Sequence, residues 1–166
     1  MSTRVYVSTS LTGLAVVMAS GGIGPVPFVA HAETDRLKAE YADVGEEEWE
    51  YAAMSAAAKG AIGMLTEDDP PRRVVLALDA ATVAPVDGAE PSLVEVQEVV
   101  KTTDIAAVHV DSVDAEDDVR AAAGAWADAE AGDETAQEAV DRALDRELGW
   151  FAAQEIGDLL DELTGR

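Results

Sequence analysis

Arg72-Arg73-Val74-Val75-Leu76-Ala77-Leu78 is the stretch on which the fold turns. Successive residues of a strand point to opposite sides of the sheet, so a nearly continuous apolar run suits a strand covered on both faces. Glu67-Asp68-Asp69-Pro70-Pro71, just before it, is a firm break, because proline cannot continue a helix. Residues 72–78 therefore predict a central strand. The rest of the chain must supply its neighbours and the layers that cover it.

Downstream, residues 93–100 set Leu93, Val94, Val96 and Val99 around Glu95, Gln97 and Glu98, the pattern of a strand with one exposed face. Residues 105–110 read as a second buried strand. Upstream, Arg4-Val5-Tyr6-Val7-Ser8-Thr9 is rich in aromatic and β-branched residues and predicts the first strand. Ser10 can cap a short helix to about Ala19, which the Ser20-Gly21-Gly22-Ile23-Gly24-Pro25 cluster ends. Residues 28–32 predict the next strand. Strand, short helix and strand in this order predict a right-handed crossover between parallel neighbours.

Thr34 or Asp35 can cap a helix to about Asp43, and a longer helix runs from Glu46 to Leu65. In the longer one Trp49 is a single large anchor among Ala52, Ala53, Ala56, Gly60 and Gly63. Asp114 or Ala115 opens a helix to about Ala129, and Gly132-Asp133 ends it. From Glu134 to Leu163 an apolar stripe (Val140, Leu144, Leu148, Phe151, Ile156, Leu159, Leu163) has helical spacing, predicting one long helix or two with a kink near Gly149. There is no internal repeat and no linker between two cores. The expectation is a single α+β domain over residues 1–166: a mixed β-sheet of about five strands packed against helices, with a long C-terminal helix or helix pair.

Thirty-four acidic residues face eleven basic ones, a formal net charge of −23. Such a chain repels a phosphate backbone and an anionic lipid surface, so neither nucleic acid nor membrane is expected as a partner. After residue 110 there are 17 acids and 4 bases, so the excess concentrates in the C-terminal helices. A basic protein docking there is the partner this pattern suggests; oligomeric state is not legible. With no cysteine, disulfides and thiolate metal sites are excluded, which fits a reducing cytoplasm.

Between Val5 and Ala32 no charged side chain other than histidine occurs, and Ala30-His31-Ala32 resembles a small-residue cleavage site. The alternative to a folded N-terminus is thus a cleaved signal, with Arg4 as its positive region. The strand-like residues before a short apolar core favour the folded reading. Glycines and prolines at positions 21–27 interrupt the run before the ~20 residues a membrane span needs.

Chemistry-bearing groups are sparse. His109 and Asp111, two apart on a predicted strand, share one face and could hold a metal or act as a base and its orienter. The bland reading is a partly buried histidine satisfied by a neighbour, with Asp111 capping the following turn. Glu155, near Glu147 and Gln154 and four residues after Phe151, could be a carboxylate with raised pKa at the core edge, or an ordinary boundary residue. His109, Asp111 and Glu155 are the candidate site residues. Glu46, Glu47, Glu48 and Glu50 could attract a cation but suit a helix N-terminus better. Arg72 and Arg73 are expected to pair with Glu67, Asp68 or Asp69. The glycine cluster follows a helix and has no lysine nearby, unlike a phosphate loop. No cofactor and no metal is expected.

Several stretches together resemble a family of short actinobacterial proteins of unknown function. They are Arg4-Val5-Tyr6-Val7, Ala30-His31-Ala32, Glu48-Trp49-Glu50-Tyr51-Ala52, Arg72-Arg73-Val74-Val75, Ala107-Val108-His109-Val110-Asp111 and Glu147-Leu148-Gly149-Trp150-Phe151-Ala152-Ala153-Gln154-Glu155-Ile156. The resemblance implies a folded N-terminus and supplies no activity. It also implies a histidine just before the Glu-Leu pair of the last stretch, where this chain has Arg146, which weakens a histidine-based site. The functional expectation is a cytoplasmic, non-catalytic protein-binding or regulatory module. The alternative is a small-molecule- or metal-binding enzyme with its site near His109, Asp111 and Glu155.

Overall fold

A computed structural model describes the backbone of residues 2–88 and 90–164 and side chains as far as residue 162. The predicted central strand forms as β4 (Val74–Ala80), with Val74 to Leu78 all buried. It lies between β1 (Thr3–Thr9) and β8 (Ile105–Asp111), antiparallel to both. Beyond β1 come β3 (Phe28–His31), β6 (Leu93–Val96) and β5 (Val83–Pro85), and beyond β8 comes β9 (Leu148–Ala152). The seven strands run β5-β6-β3-β1-β4-β8-β9, and β2 (Gly22–Ile23) pairs with β7 (Val100–Lys101) in a separate ribbon.

Fold class is therefore α+β, as expected, but every strand pair described is antiparallel, not mixed, and the strands outnumber the five expected. The predicted parallel crossover is the main correction. Ser10 does cap α1 (Leu11–Ser20) by accepting from the Gly13 amide, and Gly21 ends it at φ 83°, where a side chain would be strained. Tyr6 pairs with His31, so β3 begins beside the end of β1. The chain thus leaves and re-enters the sheet at one end. Ten helical residues cover about 15 Å and lie on one face instead of carrying the chain back along the sheet.

Two other readings change. The alternating stretch at 93–100 divides into β6 and β7, and between them Glu98 accepts the amides of Ala81 and Thr82 at the corner between β4 and β5. The expected C-terminal helix or helix pair does hold two helices, α5 (Glu134–Leu144) and α6 (Ile156–Thr164), but β9 and a 3-10 turn at Ala153–Glu155 stand between them where a kink was expected. Gly149 weakens a helix, Trp150 and Phe151 favour a strand, and β8 offers a row of backbone groups that β9 pairs from Leu148 to Ala152. Leu163, last in the predicted stripe, lies outside the residues whose side chains are described.

Sheet alternation makes two cores. On one face Val5, Leu76, Val108 and Val110 pack with Leu11 and Leu14 of α1 and Ile156 and Leu159 of α6. On the other, Tyr6, Val75, Ala77 and Ala107 meet α3 (Glu46–Met64) through Ala53, Ala57 and Ala58, whose small side chains let the helix lie close to the strands. Before α3, Thr34 caps the short α2 (Asp35–Glu40). A third cluster joins Ile62 of α3 to Val119 and Ala122 of α4 (Glu116–Glu130) and to Val140 and Ala143 of α5. Among the described residues no helix is long and apolar enough to cross a membrane.

α3 crosses β1, β3 and β4. Beyond Ala107, which packs against α3, the same face of β8 and β9 is more open, and a cleft lies there.

Candidate functional site

Alternation along β8 sends Ala107, His109 and Asp111 to the α3 face. The two candidates share that face but have different surroundings. Asp111 is 1% exposed and forms a bidentate pair with Arg73, itself 1% exposed. Its Oδ2 accepts from the Arg73 amide and Nε, and its Oδ1 from Nη2, each at 2.8 Å. Nη2 also donates to the Arg146 carbonyl at 2.9 Å. The expectation of Arg73 pairing with residues 67–69 is thus corrected, as is that of Asp111 as a turn cap. Arg72 pairs instead with Glu116 at 3.1 Å.

His109 is half-buried and stands opposite Val75 on β4 and Trp150 on β9. Its ring makes no hydrogen bond to any described residue, and burial lowers its pKa from the usual 6.5, favouring the neutral ring. His109 lines an open cleft of about 560 Å³. One wall is the Tyr51, Ser55 and Lys59 stripe of α3, spaced four apart on one side of the helix. Arg146, Glu147 and Leu148 form the other, and Trp150, 62% exposed, stands at the rim. Arg73 also reaches the cleft, from below.

Glu155 does not join this group. Its Oε2 accepts the Ala152 amide at 2.7 Å, capping the 3-10 turn that leads into α6 on the opposite face of the sheet. The structure therefore brings His109 to a cleft, engages Asp111 beneath it, and places Glu155 outside the residues that line it. Sequence reading missed the roles of Arg73, Tyr51, Ser55 and Lys59. The four-residue spacing of the last three was visible, but which side of the helix overhung an uncovered strand was not.

The remaining candidates have structural explanations. Trp49 packs against the α3-side core, its Nε1 donates to the Tyr41 carbonyl at 3.0 Å, and Lys38 Nζ lies 5.4 Å from its ring centre. Glu46, Glu47 and Glu48 occupy the first turn of α3, where Glu48 accepts the Gly45 amide. Carboxylate oxygens of Glu33, Glu46 and Glu50 lie within 4.8 Å of one another. Desolvation, then the charges of Glu50 and Glu46, raise the Glu33 pKa, so the cluster can relieve its repulsion by taking a proton. His31 Nδ1 lies 2.7 Å from Ser92 Oγ, but that serine is 1% exposed and so closed to a substrate.

The family model for DUF6912, described as a family of unknown function, matches residues 3–160. The chain belongs to DUF6912. No curated protein and no solved structure matches it. The match runs from β1 into α6 and so takes in the whole cleft of this DUF6912 chain.

Two outcomes are expected. Asp111→Ala strands a buried guanidinium and should cost about 3–5 kcal/mol in chemical denaturation, whereas replacing the pair together, Arg73→Met with Asp111→Leu, should recover most of that loss. Burial also lowers the His31 pKa. Both histidines therefore bind protons less readily folded than unfolded, so their contribution to stability is present above pH 6.5 and is lost as pH falls through that value towards their folded pKa values. NMR titration of the two rings should give midpoints below 6.5, and His109→Gln should reduce the loss of stability on acidification.

Proposed function

We propose that this DUF6912 protein is a non-catalytic module that holds a small ligand in the cleft over β8 and β9. The observation that carries this reading is the divergence of the acid–base candidates beside a cleft of about 560 Å³, within the size range of small-molecule sites. Acid–base catalysis needs groups within hydrogen-bond reach of one reacting atom. His109 faces the cleft without an orienting partner, Asp111 is engaged by Arg73, and Glu155 caps a turn. Exposed Trp150 and Tyr51 beside polar Ser55 and His109 suit recognition through ring contacts and a few hydrogen bonds.

A regulatory role adds a protein partner, and here the α4–α5 hairpin supports a second surface. Glu130, Glu134, Glu138 and Asp141 are exposed on it. Their charge favours a basic partner through complementarity and faster encounter. A reducing cytoplasm is the setting we propose, in keeping with a chain free of cysteine.

Incubating the protein with a small-molecule extract and analysing the retained fraction by mass spectrometry tests the ligand-binding reading. A compound retained by wild type, reduced with Trp150→Ala and recovered chemically unchanged is the expected result. Consumption of the compound with turnover would contradict it. For the hairpin, combined Glu134→Lys, Glu138→Lys and Asp141→Lys should weaken binding of a polylysine probe at low salt about tenfold and flatten its salt dependence; unaltered binding would rule that surface out.

A further inference from the structure

We propose that β9 is a pairing edge for a second copy of this chain, whose own β9 adds antiparallel to it and extends the sheet across a two-fold axis at Trp150. The ladder geometry carries this pairing, which does not depend on what the cleft holds. The Asp111 amide donates to the Arg73 carbonyl, so Asp111 and His109 turn their backbone groups towards β4, and Val110 and Val108 turn theirs towards β9. Their partners Gly149 and Phe151 are thereby bonded, while Leu148, Trp150 and Ala152 direct their N–H and C=O groups away from the sheet. The Ala152 amide fits this alternation, since Glu155 Oε2 takes it at 2.7 Å. Among the described residues no strand lies beyond β9.

The two edges of the sheet differ. β5 is three residues long and ends in Pro85, and shortness and proline both guard a strand against edge pairing. β9 has five residues and neither guard, and no charged side chain occurs from Leu148 to Gln154. With one open edge per chain, pairing closes as a two-fold dimer and cannot run on as a filament. Charge selects the same occupant. In a molecule of net charge −23, an uncharged strip is where two copies meet with least repulsion, whereas a basic partner would gain nothing from it.

Register follows from the same alternation. A two-fold axis through an antiparallel pair sets one residue against itself, and Trp150, midway between Leu148 and Ala152, is the outward-bonding residue at the centre. Trp150 then exchanges N–H···O=C bonds with Trp150 of the second copy, and the Leu148 amide donates to the carbonyl of Ala152 of the second copy. Directly opposed residues share a face, so the two indoles lie side by side on the α3 face, covering a ring that is 62% exposed in the single chain. Each copy thus adds its Trp150 to the rim of the other's cleft. On the opposite face, Gly149 leaves room for Phe151 of the second copy. Asp145, Glu147 and Glu155 flank the strand beside Arg146, so the ends repel and salt should strengthen pairing. A five-residue pair covers less than the about 1,600 Å² of a standard interface, so the dimer should be weak and concentration-dependent.

Sedimentation velocity of the intact chain from about 10 µM to about 500 µM, in about 0.05 M and about 0.5 M NaCl, tests the pairing. Mass rising from 17.3 kDa towards twice that value is expected, with association at least about threefold tighter in the higher salt. Hydrogen exchange read by mass spectrometry should show the β9 segment slowing at least about fivefold between dilute and concentrated protein. Trp150→Lys, which sets like charges against each other on the axis, should weaken the dimer at least about tenfold, most in low salt. Trp150→Pro removes the central outward amide without taking a bond from β8 and should abolish pairing. Val83→Lys, on the β5 edge, should leave it unchanged. A monomer at the highest concentration and salt would overturn the proposal and leave the edge to a strand of another protein. A dimer undiminished by both Trp150 substitutions, or one that Val83→Lys abolishes, would overturn it as well.

Discussion

The Arg73–Asp111 pair is the constraint on which the remaining geometry depends. It joins the residue that leads into β4 to the last residue of β8, and through the Arg146 carbonyl it holds the chain just before β9. Three backbone segments thus meet on one guanidinium. A buried ion pair of this kind adds little net stability over an apolar pair of the same shape, because both charges lose their water. Its value lies in position: it fixes where β9 begins, and hence where Trp150 stands relative to His109. Arg73 also lines the cleft over β8 and β9.

Much of this was legible from residue order. Val74 to Leu78 announced a strand buried on both sides, Ser10 and Thr34 announced helix starts, and Glu46 to Leu65 announced a long helix, each through local chemistry that the tertiary structure preserved. The failures share a cause. At Leu148–Ala152 the spacing of Leu144, Leu148 and Phe151 imitated a helix, but the unpaired edge of β8 supplied hydrogen bonds that local periodicity cannot register. The direction of β3 depended likewise on where α1 let the chain return, not on the composition of either strand.

For the site, His109 could be singled out because histidine is rare in this chain. Asp111 could be placed on the same face by its spacing of two. That it would be bound by Arg73 rests on a contact between residues 38 positions apart, which no local pattern encodes. The acidic excess is less one-sided at the cleft, whose lining mixes Lys59, Arg73 and Arg146 with Glu90 and Glu147.

The central claim is that Arg73 is locked on one side and open on the other. Guanidinium-selected NMR of the unliganded protein at neutral pH tests it most directly. The account predicts separate, slowly exchanging Arg73 Nε and Nη2 protons held by Asp111 and the Arg146 carbonyl, beside faster-exchanging Nη1 protons, which have no acceptor among the described residues. A freely rotating, fully averaged Arg73 group, or equal protection of all its nitrogens, would contradict it.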